Sequence, residues 1–233
     1  RVLFRSELSH CGLSINIDNN YFLYSGALKN DLYKIKSSDP STECQAFIEK
    51  AIKKIDSLNA DSYNEVIFTS KRPNLFFQDN SKKLINDSAI TFSHQKINNN
   101  FSYKISIGLD DNLKKDKFLF NESHISYLLG NNVYSFGKRS KWWSPSKNIS
   151  LIMGNAAHPS AGFSISNFNS NKLSLPFLHD SLIDYEVFIN RLEKSRFISK
   201  PLLFGARIHV RQKNDFAFSL FRTAQFGGKG RKL

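Results

Sequence analysis

Glu122 and His124 lie two residues apart with Ser123 between them, so on a strand both side chains leave the same face, as a general base and its partner would. That triplet is the chain's nearest approach to hydrolytic chemistry. No Gly-x-Ser-x-Gly elbow, His-Glu-x-x-His pair, phosphate-cradling loop or metal-ligand cluster accompanies it. We read the triplet as structural. Asp110-Asp111 has the character of a turn rather than of paired catalytic carboxylates. Gly227-Gly228-Lys229-Gly230 follows a strand pattern with no helix after it, which makes a flexible turn and not a nucleotide loop. The sequence predicts a protein without catalytic residues, cofactor or metal.

Binding chemistry is better represented. Trp142 and Trp143 are the chain's two tryptophans, and an indole face can stack on the C–H bonds of a pyranose; the bland alternative is an interfacial anchor or a packed strand end. Alternation sends adjacent strand residues to opposite faces, so the two have different tasks. Arg207, His209, Arg211 and Arg222 are candidates for a basic lumen that attracts uronate-bearing polysaccharide, Arg being suited to bidentate carboxylate contact. Pairing with acidic side chains of other strands is the structural alternative for all four.

The elements that must position these residues fall into two regions. Asp39-Pro40-Ser41-Thr42 reads as a helix start. Cys44, Phe47, Ile48, Ala51, Ile52, Ile55 and Leu58 then recur at helical spacing. Shorter helices are expected near Val2–His10 and over Ser25–Ile35, the second with Leu28, Leu32 and Ile35 on one side. We read residues 1–60 as a small helical subdomain, 61–87 as a connecting segment, and 88–233 as strands. The two-residue period is clearest at Phe101, Tyr103, Ile105, Ile107 and Leu109. It returns at Leu202, Phe204, Ala206, Ile208 and Val210, and again at Phe216, Phe218 and Leu220. Asn- and Asp-rich turn signals separate these runs. The fold class is mainly β, an antiparallel up-and-down meander behind an N-terminal helical subdomain. Periodicity alone fits both a soluble sandwich with its apolar face inside and a membrane barrel with that face outside. A polar face of Lys104, Arg207, His209, Arg211 and Arg222 with small Ser and Gly suits a hydrated lumen and favours the barrel.

Composition agrees with an anionic partner. The 233 residues carry a net charge of +13, with a pI near 9.7 and a mean hydropathy of -0.38. Such a charge fits nucleic acid, a lipid surface or an acidic polysaccharide. The cations are scattered and no nucleic-acid motif accompanies them, so we read no nucleic-acid partner. No apolar window approaches the ~18–20 residues of a membrane-spanning helix. Cys11 and Cys44 read as buried free thiols, a disulfide between two helices being the alternative. The chain opens on Arg1 and reads as a fragment.

Trp142-Trp143-Ser144-Pro145, followed by Asn148, Leu151, Asn155, Ala156 and Pro159, resembles the signature of the Wzi-type capsule assembly family of outer-membrane β-barrels. Arg5-Ser6-Glu7-Leu8 with Cys11-Gly12-Leu13, Gly205-Ala206-Arg207, and Arg222-Thr223-Ala224-Gln225-Phe226-Gly227-Gly228-Lys229-Gly230 resemble further family elements in the same order. Two positions depart from the family pattern: Ser144-Pro145-Ser146 stands for Gly-Pro-Gly, and Ala157-His158-Pro159 for Ala-Arg-Pro. His158 thereby replaces a fixed cation with a group that titrates near neutrality.

The resemblance implies roughly the N-terminal half of a non-enzymatic outer-membrane barrel that holds acidic capsular polysaccharide at the surface of a Gram-negative cell. Its N-terminal helices would face the periplasm, and outer-membrane lipid and lipopolysaccharide would surround a monomer. Trp142, Trp143, His158, Arg207, Arg211 and Arg222 are the expected polysaccharide contacts. A soluble carbohydrate-binding β-sandwich of a larger secreted protein is the alternative. An outer-membrane enzyme would need a nucleophile and base from outside this chain.

Overall fold

The computed structural model describes residues 32–33, 36–37, 42–58, 62–69, 89–98, 100–110, 118–141, 143, 159–175, 178–194, 196–212 and 216–229. The expected helix near Val2–His10 lies outside them. The apolar stripe after Pro40 forms helix α1, Thr42–Leu58, with Glu43 in its first turn, where a carboxylate is favoured by the helix dipole. Ile48, Ala51 and Ile52 are buried on one face, as their spacing requires, and Leu32 is fully buried. Cys44 is disulfide-bonded, which corrects the free-thiol reading. An apolar helix face accommodates a half-cystine as readily as a thiol, so burial could not separate the two. The chain's other cysteine, Cys11, lies outside the described residues.

Among the described residues eleven strands form one antiparallel sheet. In chain order they are β1 (Tyr63–Thr69), β2 (Ala89–Ile97), β3 (Phe101–Asp110), β4 (Phe118–Leu119), β5 (His124–Leu129), β6 (Asn132–Lys138), β7 (Ala161–Asn167), β8 (Asn171–Leu175), β9 (Leu178–Arg191), β10 (Leu202–Arg211) and β11 (Ala217–Phe226). The path is β1-β2-β3-β5-β6-β7-β9-β10-β11, with β4 beside β3 and β8 beside β9. Sequence neighbours pair along this meander, so each strand finds its partner through a local connection.

β1 lies inside the segment expected to be a connector, and the sheet starts there, at Tyr63. Val66-Ile67-Phe68 is a continuous apolar run, which hides the two-residue period. Nine strands along the path make eight reversals. β1 and β11 therefore run in the same direction, and pairing them directly would give a parallel ladder. Among the described residues the sheet is not closed.

The sheet is inverted relative to a soluble protein. β5 alternates buried and exposed residues: His124, Ser126 and Leu128 inside, Ile125, Tyr127 and Leu129 outside. Ser93, Ser102, Ser106, Ser135, Ser164, Ser166, Asp184, Glu186, Asn190, Arg207 and His209 are also buried, while Ile105, Ile107, Leu109, Phe136, Phe163, Val187, Ile189, Ile208 and Leu220 are exposed. The concave side is polar and the convex side apolar. Leu128, Val133 and Phe168 form a small apolar cluster on the inner face.

The two ends of the sheet differ. β2 and β3, β5 and β6, and β10 and β11 are each joined over few residues at one end, where the β8 hairpin also lies. Residues 70–88, 111–123, 139–160 and 192–201 connect strands at the other. We call these the short-turn end and the long-loop end.

Candidate functional site

Beyond β6, Arg139, Lys141 and Trp143 turn inward onto the concave face. Arg139 and Lys141 both reach Glu186, from the centre of β9; Arg139 Nη2 lies 3.6 Å from Glu186 Oε1, and Lys141 makes a shorter contact with the same oxygen. Trp143 donates its indole N–H to Glu186 Oε2 at 2.7 Å. The carboxylate is fully buried. A charge removed from water at this depth is tolerated only when neighbours satisfy it, and here two cations and an N–H do so.

Packing holds the same segment down. Trp143 meets the Phe188 ring edge-on, with centroids 5.1 Å apart, and Lys141 Nζ sits 4.9 Å from the centre of that ring. Gly205 makes room for the stack: a Cβ there would overlap the Phe188 ring and lie 2.8 Å from Trp143 Cη2. Glycine is thus required at this position by close approach. Burial pushes the Lys141 ammonium down to about 8, a fall that its partner Glu186 opposes.

Glu122 anchors the preceding turn. It accepts from the Ser140 backbone N–H at 3.1 Å and from the Ser140 hydroxyl, and it holds a positive φ of 63°. His124 Nδ1 sits 2.8 Å from the Glu122 carbonyl oxygen. Glu122 thereby ties the turn after β6 to the entry of β5. Beside this turn Ser135, Gly137, Arg139, Lys141, Ser160, Ser164 and Asn190 line a small cleft of about 10 Å³, room for a single water molecule. Asn190 Nδ2 donates to Ser160 Oγ at 2.9 Å, and Arg139 Nη1 donates to Ser135 Oγ at 3.1 Å. Hydroxyls, an amide and two cations form a surface suited to polyhydroxylated or anionic groups.

The short-turn end carries a second network. Arg211 Nη2 donates to Asp184 Oδ2 at 3.0 Å and to Ser170 Oγ at 2.8 Å. Asn167 Nδ2 donates to the Ile183 carbonyl at 3.1 Å, and Asn131 Nδ2 donates to Asn171 Oδ1 at 2.8 Å. These contacts tie the β5–β6 turn, the β8 hairpin and β10 together. Among the described residues no group of three or more His, Cys, Asp or Glu could hold a metal ion.

The model of the family described as capsule assembly protein Wzi matches residues 70–233. The chain belongs to the Wzi capsule assembly family. Its fold is similar to a solved structure from Escherichia coli described as Wzi, an outer membrane protein involved in group 1 capsule assembly and a carbohydrate binding β-barrel. The TM-score is 0.71 at 17% identity, over 100% of this chain and 54% of that one. The chain spans about half the length of this solved relative. Comparison with curated proteins finds no match.

Within this Wzi-family chain the sequence-expected residues part company. Trp142, Pro145, Asn148, Leu151, Asn155, Ala156, His158 and Gly230 lie outside the described residues. Trp143 is 1% exposed, with its N–H engaged and its ring packed, so it presents no face to a sugar. Stacking by Trp143 is corrected to anchoring. Arg207 is 1% exposed beneath the same segment, and its burial corrects the expectation of an open sugar contact. Arg211 adopts the alternative role foreseen for it, an ion pair with another strand. His209 Nδ1 lies 2.7 Å from Ser219 Oγ.

Arg222 does not belong to the lumen. Register pairs it with Ala206, while Phe221 stands opposite the inward Arg207, so Arg222 is on the convex face and exposed. The correction follows from alternation, since Phe218, Leu220 and Arg222 share one parity. Pro159 is buried just before β7. Gly227 and Gly228 take positive φ, 64° and 98°, and the Lys229 N–H donates to the Ser199 carbonyl at 3.0 Å. Glu186, Arg139 and Phe188 are not among the residues expected from the sequence. Their signal was present: Asp184, Glu186 and Asn190 alternate with Tyr185, Val187 and Ile189 along β9.

Proposed function

We propose that the chain is part of a non-enzymatic outer-membrane barrel that binds acidic capsular polysaccharide and retains it at the cell surface. The observation that carries this reading is the inverted sheet. An apolar convex face and a polar concave face suit a bilayer outside and water inside, and a soluble sandwich would need the reverse. Membership in the Wzi capsule assembly family and the net charge of +13 support the same reading.

Membrane barrels have short periplasmic turns and longer outer loops. The long-loop end then faces the exterior and carries the polysaccharide. α1, which leads into β1 at the short-turn end, lies on the periplasmic side. Ser135, Ser160, Ser164 and Asn190 supply the outer end of the concave face with hydrogen-bonding groups for hydroxyls. A long polymer is held by many weak contacts of this kind. Charge attraction makes retention sensitive to salt.

Deletion of the complete gene, with cell-bound and released polysaccharide measured separately, tests the proposal. Expected is a shift of polysaccharide from the cells to the medium, reversed by complementation. Unchanged retention refutes the function.

A further inference from the structure

Registers across five strands align two rows on the convex face near the long-loop end. The upper row reads Lys138, Ala161, Arg191, Leu202 and Phe226 from β6 to β11. The row beneath reads Phe136, Phe163, Ile189, Phe204 and Ala224. Phe136 is 62% exposed, Phe163 40% and Ile189 39%. Two cations therefore stand directly above an apolar, aromatic platform. Lys138 and Arg191 are separated by the one intervening strand, about 10 Å from chain to chain across both ladders. The small side chain of Ala161 leaves a notch between them. Neither cation enters an ion pair among the described residues.

The opposite end of this face is built differently. Its corresponding outward residues include Tyr103, Tyr134 and Tyr185, uncharged and amphipathic, with Lys96 paired beside Tyr103. Tyr rings sit well at a neutral interface, whereas paired cations over apolar surface fit an anionic headgroup whose acyl chains continue downward.

We propose that Lys138 and Arg191, with Ala161 between them and Phe136, Phe163 and Ile189 below, form a binding site for a membrane lipid bearing a net-anionic phosphate headgroup. The phosphate lies in the notch, and the acyl chains cover the aromatic row. The site rests on the membrane-barrel reading and adds a specific lipid contact to it. It is separate from the small cleft, because Arg139, Lys141 and Ser164 belong to the concave side.

The test uses the product of the complete gene, first by flotation with phosphatidylcholine vesicles. Native mass spectrometry then counts phosphatidylglycerol and phosphatidylcholine retained from an equal mixture. Expected is flotation, a preference for phosphatidylglycerol of about tenfold, and loss of that preference in Lys138→Gln/Arg191→Gln. Lys138→Arg/Arg191→Lys should keep the preference, as should Lys96→Gln at the other end. Failure to float with neutral vesicles overturns the membrane reading and this site with it. Flotation without a phosphatidylglycerol preference, or with a preference that the double Gln variant retains, overturns the lipid site alone. Displacement of the lipid by inorganic phosphate also overturns it, in favour of a site for free anions.

Discussion

Trp143 and Glu186, forty-three positions apart, are joined by an indole N–H···carboxylate hydrogen bond of 2.7 Å inside the concave face. This bond pins the signature segment of the family to the middle of β9, where Arg139 and Lys141 complete the shell around the same carboxylate. The tryptophan acts as a fastener, and it shares the satisfaction of a buried charge with two cations.

Removing the fastener has a defined cost. Trp143→Phe keeps much of the ring packing but deletes the hydrogen bond to a charged group, and should lower unfolding stability by about 2 kcal/mol. Glu186→Ala leaves Arg139 and Lys141 buried without their shared anion, and should cost more, roughly 3–5 kcal/mol. Denaturant titration of the detergent-solubilised protein measures both. Equal stability of the two variants contradicts the arrangement.

Gly205 is expected to admit no side chain. Gly205→Ala places a methyl group into the Phe188 ring and against Trp143, so the indole must leave its seat. With Trp142→Phe introduced to isolate the signal, Trp143 emission should shift to the red in Gly205→Ala. Phe188→Leu should restore part of the shift by vacating the space that the methyl group needs. An unshifted spectrum in Gly205→Ala would mean that the stack yields without cost.

Lys141 predicts a pH dependence of known sign. Its folded value of about 8 lies below the 10.5 of the unfolded chain. Between those values the unfolded chain holds more protons than the folded one, so this group makes stability rise with pH across that window. Glu186 retains Arg139 and the indole N–H when Lys141 becomes neutral. The comparison is Lys141→Met, in which the rise from pH 8 to 10 should be smaller than in the unaltered protein. Parallel pH profiles would refute the assignment.

Arg222 points the other way from the basic interior. In a bilayer an arginine on the lipid-facing side near mid-depth costs on the order of 2–4 kcal/mol. Arg222→Leu should therefore raise stability in lipid or detergent, by about 2 kcal/mol, while leaving polysaccharide retention unchanged. A destabilised Leu variant would show that Arg222 has an anionic partner on the convex side.

The open edges carry a further expectation. β1 and β11 each have one side without a ladder partner among the described residues, and unpaired backbone groups cannot be left in lipid without large cost. The 233-residue chain by itself should lack heat-modifiable migration in gels, and alternate amides of β11 should exchange faster than those of β10. Heat-modifiable migration would show that the edges find partners.

Much of this organisation was readable from residue order. The stripe through Ile48, Ala51 and Ile52 specifies α1, and the two-residue periods through Phe101–Leu109 and Leu202–Val210 specify β3 and β10, because each pattern suits only one backbone period. The Trp-Trp segment and the Arg-Thr-x-Gln-aromatic-Gly-Gly string identify the family without any coordinates. β1 is not legible in the sequence because Val66-Ile67-Phe68 masks its alternation, whereas the parity of Arg222 with Leu220 is legible and places it apart from the basic face.

Which side of the sheet faces inward is decided only by tertiary structure. A strand's alternation is identical in a sandwich and in a membrane barrel, and curvature alone separates concave from convex. The same holds for Trp143 and Glu186, and for Lys138 and Arg191. No local pattern records that chain segments so far apart share a carboxylate or straddle one notch, since register and the path of a loop across the sheet bring them together. Sequence order determined the elements and the family; three-dimensional assembly determined that the indole of Trp143 is a buried anchor and that the cations divide between two opposite faces.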